Sequence, residues 1–421
     1  MGKGMAVNGG KAVRRKAWLD MWPGGSMYDE DEVNAAIKVL KAQSPFRYYG
    51  FDLQHQVEAF EKAMADYLGV KYALGVSSGS TALSVALSAL GAGPGTEIVL
   101  PALQWISDVN AVVQIRAIPV LCDINDTWNM DPDSLEKCIT TRTSAIIVVH
   151  MAGSAADVEP ICAIAKKHNI PVLEDCSQAS GTKIKGKSVG SFGDIATFSF
   201  QYNKNITTGE GGMVATNSKD LYRKCVSFHD VGFERDADGI SVPKDTPIES
   251  YGIGCRMDEI RGAVGLVQLK KLPTTCSKMR KHQQYIKTAL SDILEIKWRR
   301  FINPEGDSGF CLGWSFDDKN LAKRFIESMN TEGIPVSTPP GGVHQYRYMT
   351  TLMAKKAVTT RGCPWTCPFN RESNMEYSPD MLPRSNDILD RAMMLTIPPL
   401  LTDEDAEDVI TAFRKVASEL L

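Results

Sequence analysis

The chain lacks any apolar run approaching the ~20 residues that cross a bilayer, so no membrane span is expected. An excess of one charge is missing too. Lys and Arg number 47 against 50 Asp and Glu, for a net charge of −3, which gives no electrostatic reason to expect nucleic acid or an anionic membrane as partner. The opening "MGKGMAVNGGKAVRRKAWLDMW" is basic but has no apolar stretch of the signal-peptide kind, and a cytoplasmic location is expected. Cysteines are present but not paired. Of the ten, only Cys363 and Cys367 ("CPWTC") lie close together, and no second pair completes a zinc site. Reduced, mostly buried thiols and no metal are expected. No repeat or low-complexity segment stands out.

What is present is ordinary globular composition, 43% hydrophobic and 23% charged over 421 residues, enough for two or three lobes. From 72 to 216, short Val- and Ile-rich runs alternate with helical segments. The strand candidates are "YALGV" (72–76), "EIVLP" (97–101), "IPVLCD" (118–123), "SAIIVV" (144–149), "IPVLED" (170–175), "IATFSF" (195–200) and "GMVATN" (212–217). Strands of this kind, most of them followed by helices such as "TALSVALSAL" (81–90) and "DVEPICAIAKKH" (157–168), predict an α/β fold with a mainly parallel sheet covered on both faces. Ligands of such sheets bind beyond the carboxyl ends of the strands. Two amphipathic helices precede this lobe, with stripes Val33, Ala36, Ile37, Leu40 and Val57, Phe60, Met64, Tyr67; "SPFRYYG" (44–50) is the loop between them. A long basic helix (276–292) opens a smaller α+β lobe. The expected units are an N-terminal arm and helix (1–53), a large domain (54–275) and a small C-terminal domain (276–421).

Three features fall at strand ends. In "SSGSTAL", Ser77, Ser78, Gly79, Ser80 and Thr81 lead into a helix, which suits a phosphate or, equally, a helix capped by Ser80. In "VLEDCSQA", Glu174 and Asp175 end an apolar strand, either as a cap or to hold a cationic partner such as a pyridinium nitrogen. Lys204 lies among polar residues just past "IATFSF". Near a phosphate and a buried acid, an amine can lose its proton by desolvation and become a Schiff-base nucleophile. Phosphate cradle, acid and lysine together describe a pyridoxal 5'-phosphate site.

"SSGSTAL", "LEDCSQASG", "GSFGDIATFSF", "NKNITTGEGG" and "RMDEIRGAVGLVQL" occur in the order found in the DegT/DnrJ/EryC1/StrS sugar aminotransferases, which the chain resembles from about Tyr28 to its end. The resemblance implies the pyridoxal-phosphate transferase fold of type I, with a large seven-stranded sheet domain. It implies Lys204 as the Schiff-base lysine, Asp175 on the ring nitrogen and Gln178 at the ring hydroxyl. Gly79, Ser80, Thr81 and Ser199 would take the phosphate, and Trp105 would stack on the ring where residue reading alone favours a core tryptophan. Glu210 and His150 match familiar positions without a clear role. The implied partners are L-glutamate or glutamine as amino donor, a keto- or oxo-carbohydrate as acceptor, and a second copy of the chain in a homodimer with shared active sites. "VVHMAGSAADVEPI", "PEGDSGF" and "FRYYG" look similar to the branch that includes 8-amino-3,8-dideoxy-octulosonate transaminase; nucleotide-linked ketosugars and cyclitol ketones are the alternatives. His344, Tyr346 and Arg347 in "GGVHQYRYM", together with Arg256, are the candidate substrate contacts.

Other readings of the same residues are weaker. A dehydratase on this fold carries histidine in place of Lys204, and a non-catalytic relative would be expected to have lost some of Lys204, Asp175 and Gln178. "GTKIKGKS" (181–188) fits a P-loop pattern, but no helix can start in the glycine-rich "VGSFGD" that follows, so a hairpin turning at Lys185 and Gly186 is expected. One departure from the family stands out. Where its members have an asparagine reaching the neighbouring subunit's phosphate, this chain has Gly254, in "GIGCRM".

Overall fold

The computed structural model describes residues 4–233, 251–373 and 375–421. Among the described residues, nine strands belong to the large lobe: β1 (Tyr72–Val76), β2 (Glu97–Pro101), β3 (Ile118–Cys122), β4 (Thr143–Val149), β5 (Val172–Asp175), β6 (Lys183–Ile184), β7 (Lys187–Ser188), β8 (Ile195–Ser199) and β9 (Gly212–Thr216). Seven of them form one sheet in the order β1-β9-β8-β5-β4-β2-β3. Only β9 runs against the others, pairing antiparallel with β1 and β8. The expected seven-stranded, mainly parallel sheet is therefore observed.

Burial on both faces explains why these strands read as continuous apolar runs rather than alternating ones. Successive side chains point to opposite sides. Val99, Ile146 and Val148 enter one core with α2 (Gln56–Leu68), whereas Ile98, Leu100, Ile147 and Val149 enter the other with α3 (Gly79–Ala89) and α4 (Ile106–Gln114). β6 and β7 form the small hairpin expected at Lys185 and Gly186, both of which have positive φ (49° and 84°). The P-loop reading fails on that geometry, because no helix follows.

The helix expected to begin at 276 begins much earlier. After α5 (Pro132–Cys138), α6 (Val158–Lys167) and α7 (Lys219–His229), helix α8 runs unbroken over Glu259–Ala289, with Pro273 inside it. The expected boundary at 275 thus lies within one rod that joins the lobes. The small lobe packs α9 (Lys319–Thr331) and α12 (Asp403–Leu420) on the antiparallel sheet β10 (Lys297–Trp298), β11 (Cys311–Ser315) and β12 (Ala392–Thr396); the short α10 (Thr350–Met353) and α11 (Pro383–Arg391) lie in the connection. Trp314, Phe325 and Phe413 meet at its centre with ring centroids 4.8–6.3 Å apart. The N-terminal arm is tied to this lobe, not to its own helix: Arg14 pairs with Asp405 at 2.7 Å, and Glu332 accepts from the amides of Ala6 and Val13.

The stripe on α1 (Glu30–Lys41) also departs from expectation. Val33, Ile37 and Leu40 are 47%, 40% and 57% exposed, while Glu32 and Val39 are buried. The opposite, polar side docks, because Glu32 accepts from Gln268 and Lys271 on α8 at 2.6 and 2.7 Å.

Candidate functional site

A cavity of about 380 Å³ opens at the carboxyl ends of β5 and β8. Gly79, Ser80, Trp105, Asp175, Gln178, Ser199, Lys204 and His344 all line it, brought together from positions 265 residues apart.

Its floor is the start of α3. Ser78, not Ser80, is the N-cap: its hydroxyl accepts from the Thr81 amide at 3.1 Å, and Thr81 Oγ1 accepts in return from the Ser78 amide at 3.0 Å. Thr81 is thus the inner half of a capping box and does not line the cavity, a correction to its expected place among the ligand contacts. The Ser80 hydroxyl remains free to point outward, 2.8 Å from that of Ser107. Close approach here depends on glycine. A Cβ on Gly79 would sit 2.6 Å from Ser199 Cβ, and one on Gly212 would sit 2.4 Å from the Ser78 carbonyl carbon. The helix end, with its unpaired amides and positive dipole end, is therefore drawn against the Ser199 hydroxyl, a suitable seat for an anion.

Asp175 closes β5. It is 4% exposed, and its Oδ1 accepts from the Ser177 amide at 2.9 Å. Its neighbour Glu174 points to the opposite side and takes no part in the cavity. Burial would push Glu174 up, but His150, at 3.0 Å, and the amides of Gly193 and Gly190 hold it below the usual carboxylate range. His150 Nδ1 accepts from the Ala156 amide at 3.0 Å. His150 and Glu174 thus clamp the loops flanking β5, which accounts for a histidine that sequence reading left without a role. Their hydrogen bonds also use the atoms that, with Cys176, could otherwise have held a metal.

Lys204 follows β8 in a loop pinned by Gly24, whose amide donates to the Lys204 carbonyl at 2.9 Å. The amine makes no ion pair among the described residues. Burial pulls it below the ordinary 10.5, against the raising influence of Asp175 and Asp108. Gln178 is oriented by the Ala152 amide, which donates to its Oε1 at 3.3 Å. Trp105 is no core tryptophan: it is 43% exposed and packs on His344 with centroids 4.6 Å apart. The Gln104 amide donates to the His344 carbonyl at 2.8 Å, and Leu103 bridges to Gln345, so the 341–348 segment is stitched to the end of β2. Burial lowers the His344 pKa; the Gly341 carbonyl opposes this and Lys204 adds to it.

Three of the four expected substrate contacts lie away from this cavity. Tyr346 is fully buried, its hydroxyl donating to the Pro379 carbonyl at 2.8 Å and accepting from the Leu382 amide at 3.0 Å, so it anchors the segment and does not face the cavity. Arg347 is paired with Asp390 at 2.8 Å. Arg256 is paired with Asp230, lies over Phe46 at 5.5 Å, and does not line this chain's cavity. Sequence reading missed Asp108, which is fully buried beside Lys204 and Asp175. The available signal was an acid three residues after Trp105, on the face of α4 that also carries Val112.

A model of the DegT/DnrJ/EryC1/StrS aminotransferase family matches residues 27–414, and the chain belongs to that family. It is similar to GDP-perosamine synthase of Escherichia coli O157:H7, 41% identical over 57% of this chain; the match spans 64% of that relative, less than two thirds of its length. The L-glutamine:2-deoxy-scyllo-inosose aminotransferase of Micromonospora echinospora is 28% identical over 98% of this chain and 97% of its own. Among solved structures, an aminotransferase from Psychrobacter cryohalolentis superposes with a TM-score of 0.80 at 29% identity, covering 96% of this chain and all of the other.

Proposed function

We propose that the protein is a pyridoxal-phosphate-dependent aminotransferase that moves an amino group onto a ketosugar or related carbohydrate ketone. The observation that carries this reading is the single cavity that joins an anion-binding helix end, a buried carboxylate and an unpaired, desolvated lysine. The residues fit the cofactor: Gly79 leaves the helix amides and Ser199 open to a phosphate, and the Lys204 amine has no competing partner among the described residues. When bound, pyridoxal phosphate supplies an aldehyde that condenses with amines and a ring that withdraws electrons from the attached carbon.

The chain's own groups do the rest. Lys204 Nζ would hold the cofactor covalently and, once freed, would serve as the base that carries the proton. Its lowered pKa keeps a larger share of it neutral. Asp175 would hold the proton on the ring nitrogen, and Gln178 would meet the ring hydroxyl. Trp105 and His344 form one wall, and His344 is the remaining substrate contact of those expected. The amino donor is L-glutamate or L-glutamine; relatives acting on cyclitols carry glutamine in their names. For the acceptor, nucleotide-linked ketosugars and cyclitol ketones share the support of the relatives, while the octulosonate branch is supported only by the motifs above.

The working unit is a homodimer. The exposed apolar side chains of α1, together with Tyr49, Phe51, Tyr251 and Ile253 (67%, 93%, 97% and 45% exposed), form surface that this chain alone leaves uncovered. Borohydride reduction of cofactor-loaded protein followed by peptide mapping should label Lys204. Label on another lysine refutes the assignment. A donor and acceptor screen followed through the cofactor spectrum then separates glutamate from glutamine and ketosugar from cyclitol. Asp175→Asn should slow turnover by about 3–4 kcal/mol in barrier, the scale of strong active-site electrostatics.

A further inference from the structure

Asp108 has no place in the assignment above, yet it is the most conspicuous polar group near the cavity. It lies in the first turn of α4, is 0% exposed, and neither carboxylate oxygen has a hydrogen-bond donor among the described residues. The titratable groups whose charge acts on it are Asp175, from β5, and Lys204, from the loop after β8. Two neighbouring ionised carboxylates repel, and one amine that pairs with neither cannot neutralise both. A single proton between them removes the conflict and turns the contact into a hydrogen bond. The partners are not equivalent. Asp175 already accepts from the Ser177 amide and opens onto the cavity, whereas Asp108 has no donor among the described residues and no opening.

We propose that Asp108 is a positioning residue: it stays protonated at neutral pH and donates its carboxyl O–H to Asp175, which holds the Asp175 side chain aimed into the cavity. Burial, followed by the charge of Asp175, holds the Asp108 carboxyl well above the usual range, in keeping with this assignment. The consequence for cofactor binding rests on the reading of Asp175 given above; the protonation of Asp108 does not.

The test uses wild type, Asp108→Asn and Asp108→Leu, each without cofactor and after incubation with pyridoxal phosphate. Asparagine keeps a donor in place of the acid proton, and leucine keeps the volume without one. The infrared spectrum of cofactor-free wild type at neutral pH should show a protonated-carboxyl stretch that moves in D2O and is missing from both variants. Asp108→Asn should retain cofactor affinity and the pH dependence of cofactor absorbance. Asp108→Leu should lose about tenfold or more in affinity, the scale of one hydrogen bond to a charged group. A role in packing alone predicts the reverse order, with leucine tolerated at least as well as asparagine, and that result overturns the proposal. So does absence of the band in wild type, or its persistence in Asp108→Asn, which needs no leucine variant to be read. Failure of all three proteins to take up pyridoxal phosphate overturns the functional reading instead, while the cofactor-free band still decides where the proton is.

Discussion

Replacing Gly79 by alanine tests the anion seat at its narrowest point. In a helix, alanine is favoured over glycine by up to about 1 kcal/mol, so propensity alone predicts a slightly more stable protein. Packing predicts the opposite. The new Cβ would lie 2.6 Å from Ser199 Cβ and 3.2 Å from Ser199 Cα, which is backbone of a central strand and cannot swing aside. Such overpacking costs about 1–3 kcal/mol, more than the propensity gain. The strain falls between the α3 amides and the Ser199 hydroxyl, the two components of the seat, so relief by moving the helix opens the seat. Pyridoxal phosphate affinity, measured by absorbance titration, should fall by about tenfold, corresponding to the ~1.4 kcal/mol that remains. Gly93→Ala is the control: its Cβ would meet only the Ile115 carbonyl, at 3.9 Å. Wild-type affinity in a folded Gly79→Ala protein would refute the placement of the phosphate at this helix end.

Other perturbations separate the remaining assignments. Lys204 has a folded-state pKa below its unfolded 10.5, so between those values the unfolded chain binds more protons and stability rises with pH. Cofactor-free Lys204→Met should therefore be more stable than wild type at neutral pH, with the gap closing as pH approaches 10.5; chemical denaturation at several pH values would detect a constant gap, which refutes the desolvated amine. Lys187→Ala removes only an exposed ammonium 4.0 Å from the Phe192 ring, and should cost no more than about 0.5–1 kcal/mol of stability and leave transamination intact. Loss of activity there would revive nucleotide binding at 181–188. Gly254→Asn restores the family's asparagine at a site that accepts it: Gly254 does not have positive φ, and an added Cβ would make only ordinary contacts, with the Arg256 side chain at 3.6 Å and Val231 Cγ1 at 3.7 Å. A charge-assisted bond of about 1.5–3 kcal/mol should slow cofactor release about tenfold or more; unchanged release would mean that another group fills the role.

The large sheet was legible because its signals are local. Each strand is a short β-branched run ended by a turn, and the strands observed match those read from the sequence to within one or two residues at each end. Lys204, Asp175 and Ser199 were legible for a related reason: each sits at the end of such a run, and the topology of a parallel sheet carries those ends to one edge. The division at 275 was not legible, because the change from the apolar "GAVGLVQL" to the basic "SKMRKHQQ" is a change of surroundings along one helix, with no break in the backbone. Tyr346 and His344 show a limit of another kind. Both stand in the same polar-aromatic segment, and only its long-range stitching to Leu103 and Gln104 turns His344 to the cavity and Tyr346 to the core.

The α1 stripe follows from the same distinction between pattern and partner. Apolar residues at i, i+3, i+4 and i+7 establish that a helix has an apolar face, but not which body covers it. Here Glu32, Lys271 and Gln268 form a buried polar contact that fixes the opposite face against α8, and this turns Val33, Ile37 and Leu40 outward. Breaking that contact would leave buried charge unpaired, a cost of about 3–5 kcal/mol, so the helix cannot roll over to bury its own stripe. On α8 the close contact with α2 goes through glycine: a Cβ on Gly262 would lie 2.6 Å from the Val57 amide nitrogen, and one on Gly265 would lie 2.5 Å from the Phe60 ring. That contact consumes one side of α8 and leaves Ile260, Val264 and Val267 only partly covered. An outward apolar stripe held in place by a polar lock is surface prepared for a second body, and a second copy is the occupant proposed. Val33→Glu with Ile37→Glu should shift a dimer toward monomer in sedimentation while leaving the Glu32–Lys271 contact, and hence the fold, intact; an unchanged dimer would place the interface elsewhere.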